Sequence, residues 1–208
     1  MKVLLINGSC NKGGSTATAL GKIKDILEQE GIEGEIFNVG ASPVRDCIGC
    51  KQCAKLDGFC TFEDDCVNQL LEKAQECDGF VFGTPVYYAH PSGRLLSVLD
   101  RAFYAGGKHF THKVAASVAC ARRAGTTCSL DVVNKHITYA QMLLVSSTYW
   151  NGVYGRTGDE IPYDEEGIQT IENLARNMAW ALKCVEAGKQ KGIYAPENPK
   201  GKRTSFIR

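Results

Sequence analysis

Lys2-Val3-Leu4-Leu5-Ile6-Asn7-Gly8-Ser9-Cys10-Asn11-Lys12-Gly13-Gly14-Ser15-Thr16 is the stretch that decides the fold. Lys2–Ile6 is almost wholly apolar and shows no polar alternation, which suits a strand covered on both faces. The run passes directly into a glycine and hydroxyl loop. Beyond the loop, Ser15–Glu30 sets Ala19, Ile23, Ile26 and Leu27 at helical spacing and stops before Gly31, the residue type that most readily ends a helix. A doubly covered strand, a tight turn and an amphipathic helix point to an α/β sheet.

The same alternation continues along the chain. Glu33–Val39, Gly79–Thr84, Val114–Ala119 and Met142–Ser146 read as further strands. Helices are expected at Asp64–Glu76, Pro91–Tyr104, Thr126–Thr138 and Glu165–Glu186, the last with Ile168, Ile171, Leu174, Ala175, Met178 and Leu182 on one face. Such alternation predicts an open parallel sheet with helices on both faces. Ligands of these sheets bind beyond the carboxyl ends of the strands, which here means segments 8–16, 40–60, 84–92 and 117–126. Residues 1–188 are expected to form one domain with a cysteine-rich loop at 45–66. Residues 189–208 form a basic tail with Pro196 and Pro199, read as loose or as an arm over a partner subunit.

The chain has 208 residues and a formal net charge of +1. That balance supplies no long-range field for nucleic acid or an anionic membrane. No stretch approaches the ~20 apolar residues of a membrane span, and the opening apolar run is too short for a signal peptide. Ten cysteines without an export signal point to the cytoplasm, and to thiol, metal or redox chemistry rather than a disulfide framework.

The first loop offers helix-start amides, the hydroxyls of Ser9, Ser15 and Thr16, and Lys12 as a cation. Gly8 and Gly13 have the spacing of a triphosphate loop, but Gly14 stands where its lysine belongs. No G-x-G-x-x-G is present. A single phosphate held without metal is one reading; an ordinary turn with a serine cap is the other. Gly83-Thr84-Pro85-Val86-Tyr87-Tyr88-Ala89-His90-Pro91-Ser92-Gly93 sets two tyrosines between two prolines just past a strand. Such a stiffened turn can face a flat heterocycle or merely cap the core. His90 lies beside it with no nucleophile in view.

The loop Gly8–Thr16, the run Gly83–Gly93 and the following Leu95–Phe103 with Asp100-Arg101 together resemble the NADPH-dependent FMN reductase family of flavodoxin-like proteins. The resemblance covers about residues 1–185. It implies a doubly wound, five-stranded parallel sheet of strand order 2-1-3-4-5. It further implies that Ser9, Ser15, Thr16 and the amide of Ala17 hold the FMN phosphate, and that Pro85, Val86, Tyr87 and Tyr88 line the flavin ring. After Gly-Ser the family usually has a small residue and arginine; here Cys10 and Asn11 stand there, with Lys12 as the replacement cation. Ser117, read as part of the loop after the fourth strand, is a further candidate. Arg122 and Arg123 either meet a dinucleotide phosphate or face solvent.

Cys47, Cys50, Cys53 and Cys60 give the pattern C-x2-C-x2-C-x6-C. It matches neither a ferredoxin run nor paired zinc knuckles. It resembles the compact motif of the family's iron–sulfur flavoprotein subgroup, which implies a [4Fe–4S] cluster; free thiols are the alternative. Cys66 is a possible fifth thiol, while Cys77, Cys128 and Cys184 read as packing residues. The expected function is an FMN-binding oxidoreductase, NAD(P)H-dependent, with a flavin, quinone or similar acceptor. An iron–sulfur electron relay is the alternative reading, and a flavin-free thiol module a third. Expected partners are a small-molecule donor and acceptor, with no nucleic acid or membrane, in a homodimer or homotetramer.

Overall fold

The computed structural model describes residues 1–198 together with Gly201, Thr204 and Phe206. Its elements in chain order are β1 (Lys2–Asn7), α1 (Ser15–Gln29), β2 (Glu33–Asn38), α2 (Val67–Glu76), β3 (Gly79–Tyr87), β4 (His90–Pro91), α3 (Gly93–Gly106), β5 (Val114–Ala121), α4 (Thr126–Tyr139), β6 (Leu143–Leu144), β7 (Gly152–Tyr154) and α5 (Glu165–Gln190). The main sheet runs β2-β1-β3-β5-β6, with β7 also on β5 and β4 folded back on β3. All pairings are parallel except that of β3 with β4. With the two-residue β4 left out of the count, this is the expected flavodoxin-like order.

Both faces of the sheet are covered, as the unbroken apolar strands require. Val3, Leu5 and Val81 pack with α1 and α5 on one side. Leu4, Ile6, Phe80 and Phe82 pack with α2, α3 and α4 on the other. Complete burial of each such side chain contributes about 1.5–3 kcal/mol, so this alternation holds the strands in register.

Several elements differ from the sequence expectation. The fifth strand is split: β6 pairs with Val114 and Ala115, and β7 with Ala119–Ala121. Between them the chain leaves the sheet because α5 takes its polar groups. Asn177 Nδ2 donates to the Ser146 carbonyl at 3.0 Å, and Ser147 Oγ donates to the Thr170 carbonyl at 2.6 Å. Helix α2 begins at Val67 rather than Asp64, and Asp65 just before it accepts the Val67 amide at 3.1 Å. Strand β3 continues past Thr84 to Tyr87 and returns through Tyr88 and Ala89, whose φ angles are 52° and 57°. That is a two-residue hairpin turn of the type that needs both central residues left-handed.

The cysteines divide by burial. Burial pushes the Cys77 thiol up to about 11 and the Cys120 thiol up to about 12, so both stay neutral packing groups. Cys128 and Cys184, expected in the core, are exposed on α4 and α5. The C-terminal tail follows α5, which runs slightly further than the sequence suggests, to Gln190. Asn198 Nδ2 donates to Gln141 Oε1 at 2.7 Å. Pro199, Lys200, Lys202, Arg203 and Arg208 lie outside the described residues. Among the described residues no helix is long and apolar enough to cross a membrane.

Gly125, just before α4, has φ 93°, and a Cβ there would lie 2.5 Å from Ala89 Cα. The hairpin turn therefore closes directly on glycine backbone. Gly125→Ala is expected to destabilise the protein by at least about 1–3 kcal/mol, the range for a strained left-handed residue, because the collision adds to the strain. A thermal melt reads this directly. An unchanged Tm would mean that the turn does not rest on Gly125.

Candidate functional site

Four segments meet at the carboxyl edge of the sheet. The Gly8 amide donates to the Gly83 carbonyl at 2.8 Å, and the Gly8 carbonyl accepts from Ser92 Oγ at 2.8 Å. A Cβ on Gly8 would lie 2.8 Å from that Gly83 oxygen, so only glycine allows the first loop to lie so close to β3. Ser92 also caps α3, and its amide donates to Thr84 Oγ1 at 3.0 Å. A chain of buried hydroxyls thus ties the first loop to the root of the aromatic turn.

Within the first loop, several amides are satisfied internally. Ser9 N donates to Asn7 Oδ1, Asn11 N to Ser9 Oγ and Gly13 N to Asn11 Oδ1, all at 3.0–3.1 Å. Asn7 is itself held by Nδ2 donation to Asn38 Oδ1 at 2.9 Å. By contrast α1 starts at Gly14 without a side-chain cap. The first amides of a helix have no intrahelical acceptor, and with the helix dipole they favour an anion. Ser15 Oγ donates to the Gly155 carbonyl at 3.2 Å. Thr16 is buried beside the Cys120 thiol. Ser9 is buried, whereas Lys12 is exposed.

Pro85 and Val86 are half-buried, Tyr87 is 52% exposed and Tyr88 is fully exposed. Partial burial raises the Tyr87 phenol above its ordinary pKa. Arg122 and Arg123 are exposed beyond β5. Ser117 is not in that loop, because β5 extends to Ala121. It lies buried in mid-strand with Oγ donating to Asn134 Oδ1 at 2.6 Å.

Sequence reasoning missed the segment before β7. Asn151 is buried, donates Nδ2 to the Ser117 carbonyl at 3.0 Å and leaves Oδ1 buried without a partner. A buried acceptor without a partner calls for a donor. Tyr149 and Trp150 beside it are exposed and packed edge to face, with ring centroids 4.7 Å apart. The cue was present in Tyr149-Trp150-Asn151-Gly152, an aromatic pair before a turn just past the fifth strand.

The cysteine-rich segment lies along α3. Cys47, Cys50, Cys53 and Cys60 line one small cavity with Phe62 and Arg101, of about 20 Å³, roughly the room of one water. Arg101 is buried and ion-paired to Asp65. Burial opposes its charge, but hydrogen bonds to Asp65 and Cys60 outweigh that and raise its pKa. Cys53, whose pKa is raised chiefly by burial, also opens onto a groove of about 960 Å³ with Phe103, Tyr104 and His136. Among the described residues, no three His, Cys, Asp or Glu side chains already stand together as a metal-holding group.

A sequence model of the NADPH-dependent FMN reductase family matches residues 1–155, which carry every part of this edge. The chain belongs to that family. It is thus a member of a family of FMN-binding, flavodoxin-like oxidoreductases. An iron-sulfur flavoprotein of Methanocaldococcus jannaschii is 29% identical over 194 residues, covering 89% of this chain and 100% of the relative. An iron-sulfur flavoprotein of Methanosarcina thermophila is 24% identical, covering 92% of this chain and all of its own length. Among solved structures, the NAD(P)H:(acceptor) oxidoreductase FerB of Paracoccus denitrificans superposes with a TM-score of 0.65 at 14% identity. That match covers 88% of this chain and 97% of the other. The family's FMN fits the chemistry of the edge: an uncapped helix start for an anion, an aromatic turn for a flat ring and an orphaned acceptor at Asn151.

Proposed function

We propose that this protein is an FMN-dependent oxidoreductase that takes reducing equivalents from NAD(P)H and delivers them to a flavin, a quinone or a similar small acceptor. The observation that carries the reading is the uncapped start of α1 at the same carboxyl edge of the sheet as the Pro85–Tyr88 turn, the first loop being tied to β3 by Gly8 and Ser92. When bound, FMN supplies the hydride and electron chemistry. The chain supplies the mount. The amides of Ser15, Thr16 and Ala17 with the Ser9 and Ser15 hydroxyls and Lys12 hold the phosphate. Pro85, Val86, Tyr87 and Tyr88 orient the ring. Ser117, lying within β5, serves by positioning Asn151 through its carbonyl. No general acid or base is required, and His90 stands exposed on β4 without a nucleophile beside it. The test is steady-state oxidation of NADH and NADPH by FMN-loaded protein with a quinone or free flavin as acceptor. Turnover supports the reading. A flavin-loaded protein that oxidises neither nucleotide sinks it in favour of a carrier.

A second reading, an iron–sulfur electron relay, is favoured by the convergence of four cysteines on one cavity beside a buried cation. Four thiolates repel one another and need cations or metal to stay together. Cys47 and Cys50 lie exposed, with Ile48 between them 68% exposed, so this part of the segment is not pinned by core packing. When bound, a [4Fe–4S] cluster supplies one-electron chemistry; Cys47, Cys50, Cys53 and Cys60 would hold it. Anaerobic reconstitution with iron and sulfide should then give about four of each per chain. Iron-free protein after that treatment ends this reading.

A further inference from the structure

We infer that Arg101 is the positioning residue of Cys60, fixing its sulfur and raising the reduction potential of the metal–sulfur centre that the four cysteines would hold. This rests on the iron–sulfur reading above. Arg101 is 1% exposed and is the largest fully buried side chain among the described residues. A guanidinium keeps its proton, so its charge and five N–H groups must all be met inside. Asp65, 2% exposed, meets the charge from one side. Nη1 donates to the Arg45 carbonyl and Nη2 to the Phe62 carbonyl, each at 3.3 Å. The Phe62 ring covers the guanidinium at 5.3 Å.

The remaining donors converge on one sulfur. Nε and Nη2 reach Cys60 Sγ at 3.3 and 3.4 Å. A neutral thiol is a weak acceptor, whereas a sulfur carrying negative charge accepts strongly. Two charge-assisted donors on Sγ therefore suit a thiolate or a metal-bound sulfur. Cys60 also needs an anchor of its own, since six residues separate it from Cys53 while the other gaps are two. Asn68 clamps its backbone at both ends, accepting from Cys60 N at 2.8 Å and donating to Cys60 O at 2.9 Å. Arg101 clamps its sulfur.

The sign of the effect follows from charge. N–H groups aimed at a ligand sulfur stabilise the more negative, reduced state of the centre and raise its potential. Asp65, on the far side of the guanidinium, opposes that. The experiment uses the full chain, loaded with FMN and reconstituted anaerobically with iron and sulfide, as wild type, R101K and D65N. Iron and FMN contents are measured, and the midpoint potential of the centre is followed by its EPR signal. Lysine keeps a partner for Asp65, but a single ammonium cannot fork across sulfur and carboxylate. R101K should retain FMN and show a lower potential. D65N keeps the N–H···S bonds and removes a negative charge, so its potential should rise. Opposed shifts are something a merely structural residue does not produce. Loss of iron from R101K alone, with FMN retained, also supports the positioning role. Equal potentials in all three proteins, or shifts of one sign, overturn the inference while leaving the cluster reading intact. A wild type that takes up no iron overturns the cluster reading itself, and the inference with it.

Discussion

Cys53→Ala is expected to remove most of the iron that the reconstituted protein holds, while leaving FMN bound. Cys53 sits on a single helical turn, Gln52–Lys55, reached through Lys51 at φ 60°. That left-handed step places the third cysteine on the same cavity as the first two. A centre that requires four ligands does not close on three, so iron should fall from about four per chain to below about one. The flavin should be untouched, because the first loop and the aromatic turn belong to other segments and hydrogen-bond to each other, not to the cysteine loop. Iron and sulfide assays beside a flavin spectrum read both halves. Equal iron in wild type and variant would remove Cys53 from the ligand set. Loss of flavin together with iron would mean that the two sites are not separate.

The layered sheet was legible because every long strand is covered on both sides. β1, β3 and β5 are apolar without alternation, and the helices between them carry one apolar stripe each. What was not legible depends on contacts between distant residues. The hairpin at Tyr88-Ala89 lacks the glycine or asparagine that normally marks such a turn. It is instead supported from outside by Gly125, far along the chain. The family resemblance sets Ser117 in the loop after the fourth strand, although the apolar run Val114–Ala119 includes it. In fact its hydroxyl is met by Asn134 of α4, so the strand continues through it. Asn151 was overlooked because the last strand was read as one piece. The link from Arg101 to Asp65 and Cys60 spans 36 and 41 residues, and no local pattern signals it. The cysteine spacing gave the motif but not the small shared cavity, which only the path of the loop along α3 creates. That path is held by Arg94 donating to the Ser42 carbonyl and Ser97 donating to Asp46.

Replacing Ser15 and Thr16 together by alanine should weaken FMN binding at least tenfold and leave riboflavin affinity nearly unchanged. The phosphate is the difference between the two ligands, and hydrogen bonds to a charged acceptor contribute about 1.5–3 kcal/mol each. The two hydroxyls are not equivalent, however. Ser15 Oγ lies on the Gly155 carbonyl, in a half-buried position from which a hydroxyl can rotate towards an anion at the start of α1. Thr16 is 2% exposed, beside the buried Cys120. A hydroxyl buried to that degree has less room to reach an anion than that of Ser15. The single variants should therefore separate. Ser15→Ala should account for most of the lost FMN affinity, since one charge-assisted donor already exceeds the ~1.4 kcal/mol of a tenfold change. Thr16→Ala should act mainly on stability, by about 0.8 kcal/mol for the buried methyl it removes, and appear as a lower Tm with FMN affinity little changed. Titrations of both flavins and thermal melts of the three variants distinguish these effects. If FMN and riboflavin weaken equally in Ser15→Ala, the start of α1 is not where the phosphate sits. If Thr16→Ala alone carries the tenfold loss, the buried hydroxyl turns to the ligand, and the first turn of α1 rearranges around the phosphate.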